Sequence, residues 1–272
     1  MKTKRNNAFT LIELLVVITI IAILAGLAVP TYTYVQMLAN QGRGVNNARQ
    51  IIVSMKLFSK DHGSMYPDSV ANPLTGSLAQ NANDAFRYMI QEKIVPDERI
   101  FGCPAGYNPD GNIGQSPNYG HALTPGENHW AMTAGLTDTA AGNMPLVFEN
   151  PATPSWPPLW NADMAGKIAP GRTWSGGKII IGRNDGSVAV ESLSGMKGLV
   201  GPQVMAGGSN LFTQASDGIP QRVLPVAYSN TAAPPRPFPP LASGAPPLGG
   251  PTGAPPAPGD IPSALPPSPL GR

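Results

Sequence analysis

Residues Phe9–Val29 read FTLIELLVVITIIAILAGLAV, and this stretch decides the architecture of the chain. It is 21 residues long and contains one charged residue, Glu13. At about 1.5 Å per residue, a helix of this length extends about 30 Å, which is the thickness of the hydrocarbon core of a bilayer. The sequence therefore predicts a membrane-spanning helix close to its N-terminus.

Three basic residues precede the apolar stretch with no acidic residue among them: Lys2, Lys4 and Arg5. The chain has 18 Lys and Arg against 16 Asp and Glu, a formal charge of +2, and without residues 1–8 the charge becomes −1. The positive-inside rule places this leader in the cytoplasm and sends the rest of the chain across the membrane. Because the basic excess belongs to the leader, we expect no nucleic-acid binding.

Three kinds of segment compete as explanations of the apolar stretch. A cleaved secretory signal peptide has a shorter apolar region and a small-residue cleavage site. A plain membrane anchor explains the length of the stretch but does not account for Glu13. Placing a carboxylate deep in a bilayer costs about 2.5–3.5 kcal/mol of insertion free energy. The third explanation is an assembly helix, in which Glu13 has a partner.

The residues Ala8-Phe9-Thr10-Leu11-Ile12-Glu13 resemble the processing site of type IV pilins and of the pseudopilins of type II secretion systems. The resemblance implies that prepilin peptidase cuts between Ala8 and Phe9 and methylates the new amine of Phe9. Glu13 then becomes the fifth residue of the mature chain, as in the family. The family usually has Gly before the cut, where this chain has Ala8.

We expect the Phe9 amine of one copy to pair with Glu13 of a neighbouring copy. Both charges lie at or within the membrane, where a cation and an anion are costly alone and pairing them lowers that cost. The pair would also fix the axial offset between neighbours. Glu13 and Phe9 are therefore predicted to be assembly residues, with no catalytic residue in the chain.

The helix is predicted to continue beyond the membrane. Pro30 should kink it, because proline lacks a donor and clashes with the preceding turn. Apolar residues then recur in steps of three and four from Val35 to Phe58, although Gly42 and Gly44 weaken the helix. The segment 61–67, DHGSMYP, should end it, and it resembles the loop after the long helix of major pseudopilins.

The remaining head is predicted to be α+β, with the long helix packed on a small antiparallel sheet. A short helix is expected within 83–92, capped by Asn83 or Asp84. Strands are predicted from β-branched runs and turn residues: Pro145–Glu149, a hairpin of Lys178–Gly182 and Ser187–Glu191, and an edge strand within Arg222–Tyr228.

Residues that could carry chemistry lack the patterns that chemistry requires. The histidines, which show no metal-type spacing, are expected at the surface or in loops: His62, His121 and His129. Cys103 is single and is expected to be a buried hydrophobic residue, and Trp130 is expected to pack. The resemblance raises calcium as a cofactor, with oxygen ligands offered by Asp163, Asp185 and Asp217, which form no EF-hand loop. We expect no enzyme activity.

Residues 229–272 are predicted to be disordered with polyproline II character, because 15 of these 44 residues are proline and cannot build a core. The predicted division of the chain is therefore a leader (1–8), a membrane helix (9–30), its amphipathic continuation (31–62), a head (63–228) and this tail.

The expected function is that of a structural subunit of a type II secretion pseudopilus or a related filament. The expected partners are other copies, other pseudopilins, prepilin peptidase, the lipid bilayer and an inner-membrane assembly platform. The expected location is the inner membrane of a bacterium, with the head in the periplasm. Two alternatives stay open: a type IV pilin for adhesion or DNA uptake, and a membrane-anchored binding protein whose loops 105–126 and 152–174 grip a ligand.

Overall fold

The computed structural model describes residues 11–104, 106–204 and 207–228. The predictions for the basic leader, for Ala8 and Phe9 and for the proline-rich residues 229–272 lie outside the described residues. They therefore stay predictions.

The first element is a single helix, α1, which runs from Leu11 to Asp61 over 51 residues. It continues across Pro30 and through Gly42 and Gly44 without interruption, so the predicted long helix is confirmed. The kink at Pro30 stays a prediction. Gly42 is exposed and Gly44 is buried, so the two glycines lie on different faces of the helix.

The C-terminal half of α1 is the part that builds the core. Its completely buried side chains fall on one face at helical spacing: Ala48, Ile51, Ile52, Met55 and Phe58. Each buried Ile, Met or Phe contributes about 1.5–3 kcal/mol through removal of apolar surface from water. Burial of this face therefore holds the C-terminal half of the helix against the head.

The segment DHGSMYP ends α1 and ties it to the head. Gly63 has φ +60°, and the N–H of the next residue, Ser64, bonds back to the carbonyl of Ser59 at 2.8 Å. Tyr66 is completely buried and donates its hydroxyl to Asn184 Oδ1 at 2.6 Å. The predicted end of the helix is confirmed, and the motif acts as an anchor of the loop.

Five antiparallel strands form the main sheet in the order β5-β4-β2-β1-β7. Their bounds are β1 Trp130–Thr133, β2 Pro145–Glu149, β4 Lys178–Arg183, β5 Val188–Ser192 and β7 Val223–Leu224. The predicted strand at 145–149 and the β4–β5 hairpin are confirmed, and β7 lies at an edge as expected. The strand β1 was not predicted from the sequence.

The two faces of this sheet belong to different cores, because successive side chains of a strand point to opposite faces. Ile180 and Val147 pack in the core that contains α1, whereas Ile179, Ile181 and Phe148 face a second core. The second core is closed by three small elements: β3 Trp160–Asn161 paired with β6 Leu199–Val200, and the helix α3 Leu211–Ala215. The architecture is α+β, as predicted.

The short helix α2 runs from Ala82 to Gln91, and its cap differs from the prediction. Asn81 is the N-cap, because its side-chain Oδ1 accepts the N–H of Asp84 at 3.0 Å. Asn83 lies inside the helix and donates its side-chain amide to the carbonyl of Leu123 at 2.9 Å. The prediction was wrong because Asn81, Asn83 and Asp84 can all cap a helix, and the buried contact of Asn83 decides between them.

Candidate functional site

The first half of α1 presents its apolar side chains to the surroundings. The large apolar residues of positions 11–35 whose burial is described are exposed, from Leu11 at 81% to Val35 at 54%, and Leu38 is 46% exposed. Glu13 lies on this exposed surface and lines a shallow depression with Ile12, Val16 and Val17. Among the described residues, α1 is the one helix long and apolar enough to cross a membrane. Such a surface is stable only when lipid or other apolar helices cover it.

A second feature of the head is a buried cluster centred on Glu149, the last residue of β2. Glu149 Oε1 accepts hydrogen bonds from three nitrogen donors: His129 Nε2 at 2.9 Å, Arg172 Nη2 at 3.0 Å and Trp174 Nε1 at 3.0 Å. Its Oε2 accepts the backbone N–H of Ile180 at 2.9 Å. One carboxylate thus joins β2, β4, the segment before β1 and the segment before β4.

The charges of this cluster compensate one another. Burial alone would raise the pKa of Glu149, but Arg172 and His129 lower it below its usual value. Burial alone would lower the pKa of His129, but Cys103 and Glu149 raise it to about 9. The guanidinium of Arg172 also lies 4.3 Å from the ring centre of Trp174. Glu149 is therefore ionised at neutral pH and holds two cationic side chains inside the head.

The ligand atoms of Cys103, His129 and Glu149 lie within 4.8 Å of one another, a grouping that could bind a metal ion. Arg172 Nη2 lies 3.0 Å from the carboxylate and 3.8 Å from Cys103 Sγ. A resident guanidinium already supplies the positive charge that a metal ion would bring, and the same oxygen accepts two further donors. The cluster is thus a structural ion-pair network, and Cys103 is its buried apolar neighbour.

A groove of about 340 Å³ opens where α1 leaves the head, next to this network. Its walls come from one face of α1 and from a loop that includes two members of the network. The lining residues are Tyr32, Thr33, Gln36, Met37 and Asn40 on the helix and Gly166, Arg172, Trp174 and Ser175 on the head.

A family model described as the prokaryotic N-terminal methylation motif matches residues 3–29. The chain carries the type IV pilin and pseudopilin signature. The motif supports a type IV pilin-like protein that is processed by prepilin peptidase and assembles with pilin subunits. No curated protein and no solved structure matches the chain significantly.

The pilin signature and the geometry of α1 agree. The motif ends at residue 29, inside the exposed apolar part of the helix. That part is consistent with anchoring in the inner membrane. Pilin-like proteins form a structural family that is not enzymatic.

The burial of His129 was not predicted from the sequence. His129 lies in the loop before β1, which agrees with the expected placement at the surface or in a loop, but it is 2% exposed and bonded to Glu149. His121 is exposed, and His62 stacks on Phe58 with ring centres 3.8 Å apart. Cys103 and Trp130 are completely buried, as predicted.

The acidic residues first considered for calcium do not form a site. Asp163, Asp185 and Asp217 are exposed on separate segments, and the metal-type groupings of the described residues do not include them. Glu98, Asp110 and Glu127 do lie together, with ligand atoms within 4.8 Å. Both oxygens of Glu98 already accept backbone N–H groups, and this carboxylate therefore fastens the loop around it.

No pattern in the sequence singled out Glu149 or its partners. Glu149 ends an apolar strand, a position that a solvent-exposed residue also occupies in many proteins. Its partners come from three separate segments, so no spacing motif unites them: Cys103, His129, Arg172 and Trp174. A lone charged residue closing a buried strand was the available hint.

Proposed function

We propose that this chain is a subunit of a type II secretion pseudopilus or of a related type IV filament. One observation carries the proposal: α1 is a single helix whose first half is apolar and exposed and whose second half buries one face in the head. The first half suits a bilayer before assembly and a bundle of like helices afterwards. The second half transmits the position of the helix to the head.

The proposed mechanism is mechanical. Prepilin peptidase removes residues 1–8 and methylates Phe9, and the membrane then holds a pool of mature subunits. An assembly platform moves each subunit out of the bilayer, so that lipid contacts are exchanged for contacts with neighbouring helices. Pairing of the Phe9 amine with Glu13 of a neighbour fixes the axial position, because a misplaced charge in this apolar region is costly.

The mass of the purified full-length protein tests the processing step. We expect the loss of Met1–Ala8 together with the gain of one methyl group on Phe9. Expression in cells that lack prepilin peptidase is the control and should leave the leader in place. A protein that keeps its leader in peptidase-containing cells would contradict the proposal.

Shearing of cells separates a filament subunit from a membrane-anchored binding protein. A subunit should appear in the sheared fraction only when the assembly ATPase is active. Dependence on a secretion ATPase and secretin supports the pseudopilus, whereas dependence on a pilus ATPase supports a pilin for adhesion or DNA uptake. A protein that stays in the membrane fraction under all these conditions would contradict both.

A further inference from the structure

One end of the main sheet points toward the membrane-spanning part of α1. A Cβ on Gly44 of α1 would meet Ile180 of β4. Further along both elements, a Cβ on Gly182 of β4 would meet Ile52 of α1. The two elements therefore run in the same direction, and the first residue of β4, Lys178, lies at the end of the sheet nearer the membrane. Since β5 is antiparallel to β4, the C-terminal end of β5 lies there as well.

Two segments extend from this end of the sheet. The first, residues 165–177, leads into β4, and its Ser175 lines the groove beside α1. The second, residues 193–199, follows β5. The two segments are joined, because the N–H of Leu193 donates to the carbonyl of Gly177 at 2.7 Å. Both lie where α1 leaves the head, and they are called the membrane-side segments below.

The membrane-side segments lie close to the predicted bilayer. The groove begins at Tyr32, which follows the last residue of the apolar stretch, Val29, by about 4.5 Å along the helix. The headgroup layer on each side of a bilayer is about 5–7 Å thick. Tyr32 and Tyr34 are both exposed at this level, and tyrosine is frequent at membrane interfaces. The nearest part of the head therefore lies at the headgroup layer.

Exposed apolar side chains and lysines occur together in the membrane-side segments. Met196 is 72% exposed and Leu199 is 60% exposed, and Ile168 is exposed as well. Lys167 and Lys197 are exposed beside them in the chain. Apolar side chains flanked by lysines are typical of protein surfaces that lie in a membrane interface.

The charge of the membrane-side segments is opposite to that of the head as a whole. Residues 63–228 contain 13 Asp and Glu against 9 Lys and Arg, a formal charge of −4. Neither segment contains an acidic residue. Three of the four lysines of the head lie in these segments or directly after the first: Lys167, Lys178 and Lys197. The side of the head that faces the bilayer is therefore the side that anionic headgroups attract.

We propose that the membrane-side segments bind the surface of an anionic phospholipid bilayer before assembly. Met196 and Leu199 enter the boundary between headgroups and acyl chains, and the lysines contact the phosphates. The inference rests on the proposed function, because a bilayer faces these segments only when α1 is anchored in it. The contact holds the head in one orientation on the membrane, and extraction of the subunit must break it.

Fluorescence quenching in vesicles tests this contact. The full chain carries Met196→Cys labelled with a nitrobenzoxadiazole fluorophore, in vesicles of equimolar phosphatidylcholine and phosphatidylglycerol with a nitroxide on the lipid headgroup. Native Cys103 is completely buried and therefore escapes labelling in the folded protein. The nitroxide should quench the label at position 196. The matched control is Ser187→Cys, an exposed position at the opposite end of β5, where the label should not be quenched.

Substitution of the lysines tests whether the contact depends on anionic lipid. Lys167→Gln and Lys197→Gln should each lower the ratio of docked to undocked heads by about fivefold, as read from quenching at position 196. Lys60→Gln, at an exposed position in the last turn of α1, is the control and should leave the ratio unchanged. Equal quenching with and without these lysines would overturn binding to an anionic surface.

A label at Val17→Cys, with a nitroxide deep in the acyl chains, separates the head contact from the membrane anchor. Quenching at positions 17 and 196 but not at 187 supports the inference. Quenching at position 17 alone overturns the head contact and leaves the anchor in place. Protection of position 196 from aqueous iodide only at high protein density would then assign the segments to a second copy. Absence of quenching at position 17 contradicts the anchor and with it the proposed function.

Discussion

Glu149 shows how one residue can unite segments that are far apart in the chain. The carboxylate receives donors from His129, Arg172 and Trp174 and from the backbone of Ile180. Such a network is costly to build, because each buried charge loses its hydration, and it holds together only when each charge has a partner. Removing the central charge should therefore be more harmful than removing an ordinary surface ion pair.

We expect Glu149→Gln to lower the free energy of unfolding by about 3–5 kcal/mol, since Arg172 and His129 would stay buried without their counter-charge. Urea unfolding of the full chain in detergent, followed by tryptophan fluorescence, measures this change. Glu191→Gln is the matched control: it breaks a partly exposed pair with Arg183 and should cost less than about 1 kcal/mol. Equal effects of the two substitutions would show that the Glu149 network contributes little.

The raised pKa of Glu98 predicts that the free energy of unfolding depends on pH. Its side chain is completely buried, and burial is the main cause that raises its pKa from an ordinary 4.5 to about 7. The native state therefore binds a proton that the unfolded chain releases above pH 4.5. Stability should fall as the pH rises from 5 to 7, by at most about 1.4 kcal/mol per pH unit.

Unfolding of Glu98→Gln at pH 5, 6 and 7 checks this sign. The substitution keeps the size of the side chain and removes the titration, so the slope over this range should become smaller. Glu92→Gln, at an exposed neighbouring position, should keep the slope of the parent protein. An unchanged slope in Glu98→Gln would assign the pH dependence to other groups.

At the level of single residues, the sequence could predict roles that depend on neighbours in the chain. It could not predict roles that depend on tertiary contacts. An assembly role could be predicted for Glu13 because the processing motif places it at a fixed distance from Phe9, and this role stays a prediction. Glu149 could not be assigned, because its environment depends on the packing of four segments. His129 illustrates the same limit. It has no metal-type spacing to another histidine in the sequence, and this pattern did not indicate that tertiary packing buries it.

The helix α1 is the element in which two different requirements meet. It must be apolar on its surface in the first half and closely packed against a sheet in the second. Gly42 and Gly44 lie where the helix enters the head, and their surroundings differ. A Cβ at Gly42 would meet nothing within 4 Å, whereas a Cβ at Gly44 would lie 2.6 Å from Ile180 Cδ1.

This difference predicts opposite effects of the same substitution. Gly42→Ala should stabilise the protein by about 1 kcal/mol, because alanine favours a helix and fills open space. Gly44→Ala should gain the same helix propensity but displace Ile180, and overpacking of a core costs about 1–3 kcal/mol. Denaturant unfolding of the two variants should therefore differ in sign or by at least about 1 kcal/mol. Identical stabilisation would show that Ile180 moves without cost.

At the level of elements, strong local signals were sufficient. The β4–β5 hairpin was predictable because β-branched runs flank Asn184-Asp185-Gly186, and α1 was predictable from its apolar stretch and its period. The strand β1 was not, because its four residues, WAMT, lack alternation and are buried on both sides. Its place between β2 and β7 depends on partners distant in sequence.

For the whole molecule, the positions of the charged and apolar residues are more informative than their totals. The +2 charge of the complete sequence arises from a leader that the processing motif marks for removal, and the remainder carries −1. The apolar content is concentrated in a helix that the head leaves exposed. A nearly neutral chain with an exposed apolar helix fits the proposed association with copies of itself, because a small net charge produces little repulsion between copies.

Glu13→Ala tests whether the exposed carboxylate directs assembly of the whole molecule. The variant should insert into the membrane and be processed, because removal of a charge makes the helix more apolar. Its amount in the sheared fraction should fall by more than about tenfold, because the Phe9 amine would lose a partner in a region where breaking an ion pair costs about 3–5 kcal/mol.

Thr19→Ala is the control for this substitution and should assemble normally. Thr19 is an exposed polar residue of the same helix, and its hydroxyl donates to the carbonyl of Leu15. The measurement must be made without a wild-type copy, since mixed filaments could incorporate the variant through wild-type neighbours. Normal assembly of Glu13→Ala alone would show that the charge pair does not set the axial offset between neighbouring copies.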